Sequence, residues 1–357
     1  MFSNWFLKSF RILLIPFSFL YLFIIWVRNK LYDKGYIKSS SFNLPIICVG
    51  NLSVGGTGKT PMVVYLVENL KERFKLATLS RGYKRKTKGY ALANEETTAI
   101  DIGDEPMLFY RKFPDVPVAV GEQRLEAIPQ LLHDKPATQA IILDDAFQHR
   151  AIRAGLNIVL TDYSNLYTRD FYLPTGDLRD LKSSISRAEI VVVTKCPPSL
   201  SEIEKQMVER ELDLDKHQQL YFSAISYGTP YHITLGNEMP LKEEAEVLLI
   251  TGIANPKPLK ILLEEQVDTY YMMHFSDHHI FTIDDWKEIR KKFAELEGPK
   301  KIILTTEKDA TRLAKFGSQM NGMPFYVIPI EQKFLFNQET NFLGSVATFI
   351  SNFKQPV

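Results

Sequence analysis

The sequence predicts an α/β protein whose main sheet is mostly parallel and carries helices on both faces. Short apolar runs alternate with helix-forming stretches as far as residue 194, a rhythm typical of such a sheet. A second strand–loop–helix series starts near residue 246 and predicts a smaller α/β domain. Between them, residues 220–235 alternate in polarity and contain turn residues, which indicates antiparallel strands. The predicted strands of the main sheet are IICV, KLATLS, VPVAV, AIILD, NIVLTD and EIVVVT.

These patterns divide the chain into four segments. We expect an N-terminal membrane-associated helix in residues 1–36 and the main sheet in residues 37–222. A β linker in residues 223–240 is expected to lead to a C-terminal α/β domain in residues 241–357. A length of 357 residues is sufficient for two such domains, and no internal repeat or low-complexity tract interrupts them.

The overall charge and the cysteine content limit the classes of function. A net charge of +1 gives no basic field of the kind that nucleic-acid binding uses. Cys48 and Cys196 lie far apart and fit no metal-binding spacing, so we expect two small buried side chains in a reducing compartment. Nothing in the sequence points to an obligate protein partner.

The N-terminal segment contains a long apolar run. Residues 12–27 carry no charged side chain, while Lys8 and Arg11 precede them and further basic residues follow from Arg28. As a helix the run would reach about 24 Å, which is short of the roughly 30 Å hydrocarbon core of a bilayer. Pro16 is expected to kink or restart this helix. We expect a helix that lies in or dips into the inner leaflet, the alternative being an apolar helix packed on its own domain.

A glycine-rich loop, GNLSVGGTGKT, follows the first predicted strand and precedes a helical pattern with Pro61 in its first turn. This strand–loop–helix order is the context that a phosphate-binding loop (P-loop) requires. Its backbone N–H groups would surround the phosphates, Lys59 would reach them, and Thr60 would ligate Mg²⁺. Ser53 occupies the first glycine position of the usual pattern, and the other glycines compensate. The predicted ATP-binding residues are Ser53, Val54, Gly55, Gly56, Thr57, Gly58, Lys59 and Thr60.

A pair of acidic residues follows another buried strand. In AIILDDAFQHR, Asp144 and Asp145 stand where the magnesium-side acid of such a loop is expected, although an ordinary acidic turn is the alternative. A guanine-binding motif would need an aspartate shortly after Thr194 and Lys195. Pro197 stands in that position, which favours ATP over GTP.

Seven further stretches form an ordered set with the loop. They are SRGYKRKTKG, GDEPML, DDAFQHR, LPTGDLRD, TGIANP, FSDHH and TTEKDA. Together with the loop they closely resemble the tetraacyldisaccharide 4'-kinase family of Gram-negative bacteria over nearly the whole chain. The resemblance implies a lipid A biosynthetic enzyme that uses ATP and Mg²⁺ to phosphorylate the 4'-hydroxyl of an acylated glucosamine disaccharide 1-phosphate. It also implies work at the cytoplasmic face of the bacterial inner membrane, where that lipid is anchored.

The resemblance assigns two catalytic residues. Asp104 matches the acid regarded as the base for the 4'-hydroxyl, and His278 matches its orienting partner. The residues alone favour helix capping for Asp104 and Glu105, and the resemblance reverses that preference. His278 could likewise be a polar loop residue. Because the two supposed partners are about 174 positions apart, the C-terminal half must fold back over the loop. We expect the cleft between the halves to close when ATP binds.

The resemblance and the local chemistry complete the predicted site. Arg81 and Gln148 are expected to contact the substrate, although a solvated loop is the alternative for the basic segment around Arg81. Asp180 stands where the family commonly has glutamate. Ala146 stands where the family commonly has glycine, which requires a negative φ there. The predicted metal ligands are Thr60, Glu105, Asp144, Asp145 and Asp180.

Two other functions stay open at this stage. A membrane-bound ATPase switch would use water as the phosphate acceptor and would have little need for Asp104. A P-loop kinase for another lipid or sugar differs only in its acceptor, which no spacing in the sequence distinguishes without the family pattern.

Overall fold

Two sheets organise the chain. The computed structural model describes residues 11–354, so Lys8 and the ends of the predicted segments 1–36 and 241–357 lie outside the described residues. Its strands are β1 Ile46–Asn51, β2 Leu76–Ser80, β3 Ala91–Leu92, β4 Val118–Val120, β5 Ala140–Asp144, β6 Leu156–Asp162, β7 Ile190–Thr194, β8 Gln219–Tyr227, β9 Tyr231–His232, β10 Glu246–Thr251, β11 Thr269–His274, β12 Lys301–Thr306, β13 Phe325–Ile328 and β14 Ile330–Phe334.

The larger sheet has nine strands in the order β14-β8-β7-β6-β1-β5-β2-β4-β3. Its central strands are parallel, and the antiparallel strands β3 and β14 form the two edges. Every residue of β1, β2, β5 and β7 is buried, as expected for parallel strands rich in Val, Ile and Leu that are covered on both faces. All six strands predicted for the main sheet are present, which confirms the predicted fold class.

Helices cover both sheets. They are α1 Ile15–Asp33, α2 Lys59–Leu70, α3 Ala99–Ile102, α4 Asp104–Lys112, α5 Arg124–Asp134, α6 Glu202–Leu212, α7 Lys257–Gln266, α8 Ile283–Ala294, α9 Glu307–Leu313, α10 Gly317–Met320 and α11 Glu339–Ser351. The sequence marks several of their starts. Thr282 and Asp285 form a capping box that begins α8, and Ser201 and Glu204 do the same for α6.

The smaller sheet has five strands in the order β11-β10-β12-β13-β9. Its first four strands are parallel, and β9 pairs with β13 in the antiparallel sense. One face packs on a core that contains Leu248, Trp286, Phe316 and Phe325. This sheet is the smaller α/β unit predicted from the second strand–loop–helix series.

The chain returns to the larger sheet at its end. Strand β14 pairs with β8, and Phe342, Val346 and Ile350 of α11 join the core beneath α2. The structure thus differs from the predicted boundaries, because the end of segment 241–357 packs on the larger sheet. Part of the predicted linker 223–240 likewise lies in β8, which is a full strand of that sheet.

The predicted N-terminal helix forms as α1, with Pro16 accommodated in its first turn. Large apolar side chains along it are exposed, among them Phe17, Phe19, Phe23 and Trp26. Its other side is fixed to the larger domain by polar contacts, described below. Over residues 11–354, none of the helices has the length and apolar character needed to cross a membrane.

Candidate active site

The glycine-rich loop connects β1 to α2 at the carboxyl edge of the larger sheet, the edge at which open α/β sheets bind ligands. Gly55 and Gly58 have φ values of +100° and +87°, a conformation that L-residues rarely adopt. Ser53 forms an isolated bridge with Leu178, so the position that is usually glycine is here part of an extended segment. Thr57 fixes the loop, since its hydroxyl accepts a 2.8 Å hydrogen bond from the Asn51 amide.

Lys59 opens helix α2 and points back along the loop. Its Nζ lies 3.3 Å from Asn51 Oδ1 and 3.8 Å from Asp145 Oδ1. Burial lowers the pKa of the Lys59 ammonium, while the charge of Asp145 acts in the opposite direction. A cation held in this way, at the N-terminus of a helix, is suited to a polyphosphate.

Asp144 ends β5 and is buried beside the loop. Its Oδ1 accepts no hydrogen bond from the described residues, and its Oδ2 lies 3.5 Å from Ser80 Oγ. Burial, followed by the charge of Asp145, raises the pKa of Asp144 to about 7. A buried carboxylate oxygen without a partner is costly, and a bound cation would remove that cost.

Asp145 has a different environment from its neighbour. It accepts hydrogen bonds from both terminal nitrogens of Arg179, which sequence reasoning missed. Burial raises its pKa, but the charges of Lys59 and Arg179 outweigh this effect and leave the pKa below its ordinary value. The positive φ of this turn, +49°, falls on Asp145 rather than on Ala146, so the alanine meets the condition set by the sequence.

Asp104 lies at the first position of α4, directly after Gly103, whose φ is +96°. Its Oδ2 accepts a 2.8 Å hydrogen bond from His278 Nδ1 and a 2.7 Å hydrogen bond from Arg312 Nη2. The structure thus brings together the two residues that lie 174 positions apart. Burial raises the pKa of Asp104. The two hydrogen-bond donors and the charge of Arg312 have a larger effect in the opposite direction, and together they leave the pKa at about 2.

Two basic residues of α9 complete this cluster and were missed by sequence reasoning. Arg312 is buried and pairs with both Asp104 and Asp309. Lys308 Nζ lies 3.4 Å from Glu105 Oε1, so Glu105 has a protein cation as a neighbour, and its predicted metal role stays a prediction. The signal was present in TTEKDATR, because residues 308 and 312 are one helical turn apart and share a face.

The structure assigns Asp180 to another network instead of the predicted metal site. Its Oδ1 accepts hydrogen bonds from Asn29 Nδ2 at 2.8 Å and from Ser184 Oγ at 2.9 Å. Its Oδ2 accepts one from Arg187 Nη2 at 3.0 Å, and the side chain is only 1% exposed. These donors occupy both oxygens, so Asp180 fastens helix α1 to the larger domain.

Replacing Asn29 by alanine should therefore weaken the attachment of α1. We expect a loss of about 1–3 kcal/mol in the free energy of unfolding, because the buried Asp180 carboxylate loses a donor. Urea denaturation would measure the loss. Lys30→Ala, on the exposed side of the same helix, is the control and should change stability by less than about 0.5 kcal/mol. Equal effects of the two variants would contradict the fastening role.

The two predicted substrate residues have different environments. Arg81 is exposed, whereas Gln148 donates to the Asn51 carbonyl at 2.8 Å and so supports the start of the loop. Arg124, missed in the sequence, is buried, and no carboxylate of the described residues lies within 4.0 Å of its guanidinium. Burial and the charge of Arg124 lower the pKa of His149 to about 4. His149 Nε2 is buried and has no hydrogen-bond partner among the described residues.

The charges of Asp144 and Asp145 act on Arg124 from beyond 4.0 Å. A buried guanidinium with no carboxylate in contact is costly, so Arg124 indicates a place for an anion. No group of three or more His, Cys, Asp or Glu side chains converges on one point in the part of the chain that the structure describes. The unpartnered Asp144 Oδ1 fits Mg²⁺, which in kinases is held by one or two carboxylates together with water and substrate phosphates.

Comparison with known proteins identifies the family of this chain. The family model for tetraacyldisaccharide-1-P 4'-kinase matches residues 10–349. The chain is 44% identical to the tetraacyldisaccharide 4'-kinase of Bacteroides thetaiotaomicron, over 94% of this chain and 92% of the relative. It is 46% identical to the enzyme of that name from Flavobacterium johnsoniae, over 97% and 99% of the two chains.

The fold has also been solved in a relative. The crystal structure of LpxK from Aquifex aeolicus in complex with ATP aligns with a TM-score of 0.74 and 30% identity, over 96% of this chain and 99% of that one. The match to the family model, over residues 10–349, includes the main sheet, the glycine-rich loop and the cluster around Asp104. The chain therefore belongs to the tetraacyldisaccharide-1-P 4'-kinase family.

Proposed function

We propose that this chain transfers the γ-phosphate of ATP to the 4'-hydroxyl of a tetraacyldisaccharide 1-phosphate and so forms the 1,4'-bisphosphate in lipid A biosynthesis. The observation that carries the proposal is the hydrogen-bonded Asp104 carboxylate next to a phosphate-binding loop. Glu105, the neighbour of Asp104 in the chain, lies close enough to the loop for its charge to act on the pKa of both Lys59 and Asp144. A switch that hydrolyses ATP would need no such carboxylate.

The loop residues 53–60 are proposed to hold the ATP phosphates through their backbone N–H groups and Lys59. Thr60 and Asp144 would hold Mg²⁺, with Asp145 beside them. When bound, the ion neutralises charge on the phosphates. Asp144 Oδ1 supports this assignment, because this buried oxygen accepts no hydrogen bond from the described residues.

Asp104 is proposed to receive the proton of the attacking 4'-hydroxyl. Its Oδ2 is saturated by His278 and Arg312, whereas its Oδ1 accepts no hydrogen bond from the described residues. The hydroxyl would donate to Oδ1, its oxygen would form the new bond to phosphorus, and the bond from phosphorus to ADP would break. With a pKa of about 2 the carboxylate is ionised at neutral pH but is a weak base. The proton of the hydroxyl is therefore expected to move to Asp104 late in the phosphate transfer. This order is compatible with a loose phosphoryl transition state.

The acceptor is a lipid, which bears on where the protein works. The exposed apolar side chains of α1 would enter the cytoplasmic face of the bacterial inner membrane, and α1 is fixed to the segment around Gln148 and Asp180. Arg28, for example, donates to the Gln148 carbonyl at 2.7 Å. The helix would thereby present the active site to lipid embedded in that surface.

The test is ATP turnover by detergent-solubilised protein with and without tetraacyldisaccharide 1-phosphate, with the labelled phosphate followed into the lipid. We expect slow ATP loss alone, rapid loss with the lipid, and label at the 4' position. Equal turnover in both conditions, with no labelled lipid, would favour a switch. Label in a different lipid or sugar only would favour another acceptor.

Replacing Arg124 by methionine should lower the catalytic efficiency without lowering the thermal stability. We expect kcat/KM to fall by about 10- to 100-fold, because a buried cation no longer meets a substrate anion. We expect the melting temperature to stay level or rise, since an unpaired buried charge is replaced by an apolar chain. Measuring KM for ATP and for the lipid separately would show which substrate carries that anion.

The matched control is Arg85→Met. The Arg85 side chain is also buried, with 2% exposed, but it pairs with Glu122 at 2.6 Å, so its loss should lower the melting temperature. Unchanged kinetics in the Arg124 variant, or destabilisation as large as in the Arg85 variant, would show that Arg124 has a structural role.

A further inference from the structure

The His278 ring has a second contact that the pair with Asp104 does not explain. Its Nδ1 lies 2.8 Å from Asp104 Oδ2, and its Nε2 lies 3.3 Å from Lys308 Nζ. Both ring nitrogens therefore face charged groups that belong to different parts of the fold. Asp104 comes from helix α4 of the larger sheet, whereas Lys308 comes from helix α9 beside the smaller one.

The chemistry of these two neighbours determines the position of the ring proton. A lysine ammonium has three donors and no acceptor, so Nε2 can bond to Lys308 only if it carries no hydrogen. An ionised carboxylate only accepts, so Nδ1 must carry the hydrogen that it donates to Asp104. The two contacts are compatible only with the neutral imidazole whose proton is on Nδ1.

The other groups around the ring do not change this conclusion. Asp277 Oδ2 lies 3.7 Å from Nε2, which is beyond hydrogen-bond distance, and its Oδ1 lies 3.7 Å from Lys308 Nζ. Arg312 Nη2 is 3.5 Å from Nδ1 but donates to Asp104 at 2.7 Å. The Tyr83 ring packs edge-on at a centroid distance of 5.8 Å.

We propose that Lys308 is a positioning residue that fixes His278 as the neutral Nδ1–H tautomer, which leaves Asp104, rather than His278, as the proton acceptor for the attacking hydroxyl. Lys308 is restrained for this role, because Glu105 Oε1 lies 3.4 Å from its ammonium and only 27% of its side chain is exposed. His278 has a left-handed φ of +62°, an uncommon backbone conformation for a residue other than glycine. The catalytic consequence rests on the proposed function, whereas the tautomer does not.

The test is a two-bond ¹H–¹⁵N correlation spectrum of protein labelled at histidine, recorded near neutral pH without substrate. His278→Gln identifies the His278 signals among those of the seven histidines. We expect the Nδ1–H pattern in the wild type and in Lys308→Arg, since arginine is also only a donor. We expect loss of that pattern in Lys308→Met. Lys287→Met, at an exposed lysine of α8, is the control and should leave it unchanged.

Kinetics gives the second measurement. Lys308→Met should lower kcat by about 10- to 100-fold with little change in KM for ATP, and Lys308→Arg should recover most of that loss. An Nε2–H tautomer or a doubly protonated ring in the wild type would overturn the proposal, even if the protein phosphorylates the lipid. A wild-type spectrum with the Nδ1–H pattern but no lipid phosphorylation would instead contradict the proposed function alone.

Discussion

Asp104→Asn is expected to lower the rate of phosphate transfer to the lipid by about 10³-fold. The amide keeps the shape of the side chain but cannot take up a proton from the attacking hydroxyl. It also removes the negative charge that His278 and Arg312 hold in place. ATP binding should change by less than about threefold, because the loop and Lys59 are untouched.

The same substitution has a cost in stability that must be measured separately. The folded-state pKa of Asp104 is lowered, so its contribution is present above the unfolded-state pKa and is lost as the pH falls through about 2. Asparagine should therefore lower the free energy of unfolding by about 2 kcal/mol at neutral pH. Asp115→Asn, at an exposed position, is the control for both measurements. Transfer within tenfold of the wild type would remove Asp104 from the chemistry.

The local elements of the fold were predictable because they depend on neighbours in the chain. A buried apolar run, a glycine-rich loop and a helical pattern led directly to β1, the loop and α2. The apolar run before Asp144 likewise led to β5. The pairing of Asp104 with His278 came from the family resemblance rather than from any local pattern.

What could not be predicted depends on contacts between distant segments. The return of β14 and α11 to the larger sheet requires knowledge of which apolar face is still uncovered, and no local pattern carries that information. The neighbours of Arg312 and Arg124 are equally hidden, since an arginine in a sequence does not reveal whether a carboxylate faces it. Asp180 was misassigned for the same reason, because its donors include Asn29, which is 151 positions away.

Helix α1 contacts the segment of the larger domain that holds Asp145 in the candidate active site. Tyr21 donates to the carbonyl of Arg179, the residue whose side chain holds Asp145. Asn29 binds the next residue, Asp180. The segment that carries the exposed apolar surface thus contacts the backbone of Arg179 and Asp180, so changes in α1 should reach Asp145 and the proposed metal site through this segment.

Asp144→Asn is the second change with a large expected effect, and its consequences for activity and stability have opposite signs. Transfer should fall by about 10²–10⁴-fold, because the buried carboxylate proposed to hold Mg²⁺ is lost. Without metal, however, the variant should be the more stable protein above pH 7. The folded-state pKa of Asp144 is raised to about 7, so the wild type loses stability as the pH rises from the unfolded-state value toward 7. Asparagine avoids that loss, which is on the order of 2–4 kcal/mol.

Urea denaturation at pH 5 and pH 8, with and without Mg²⁺ and ADP, would measure this difference. The wild type should gain stability from the metal at pH 8, and the variant should not. Asp145→Asn is the matched control, because Lys59 and Arg179 keep the pKa of Asp145 below its ordinary value. Loss of the Asp145 charge in this variant should lower the free energy of unfolding at both pH values. If the wild type and the Asp144 variant gain equally from Mg²⁺ at pH 8, the unpartnered oxygen of Asp144 is not a metal position. If the two variants respond to pH in the same direction, the division of roles between the two acids is wrong.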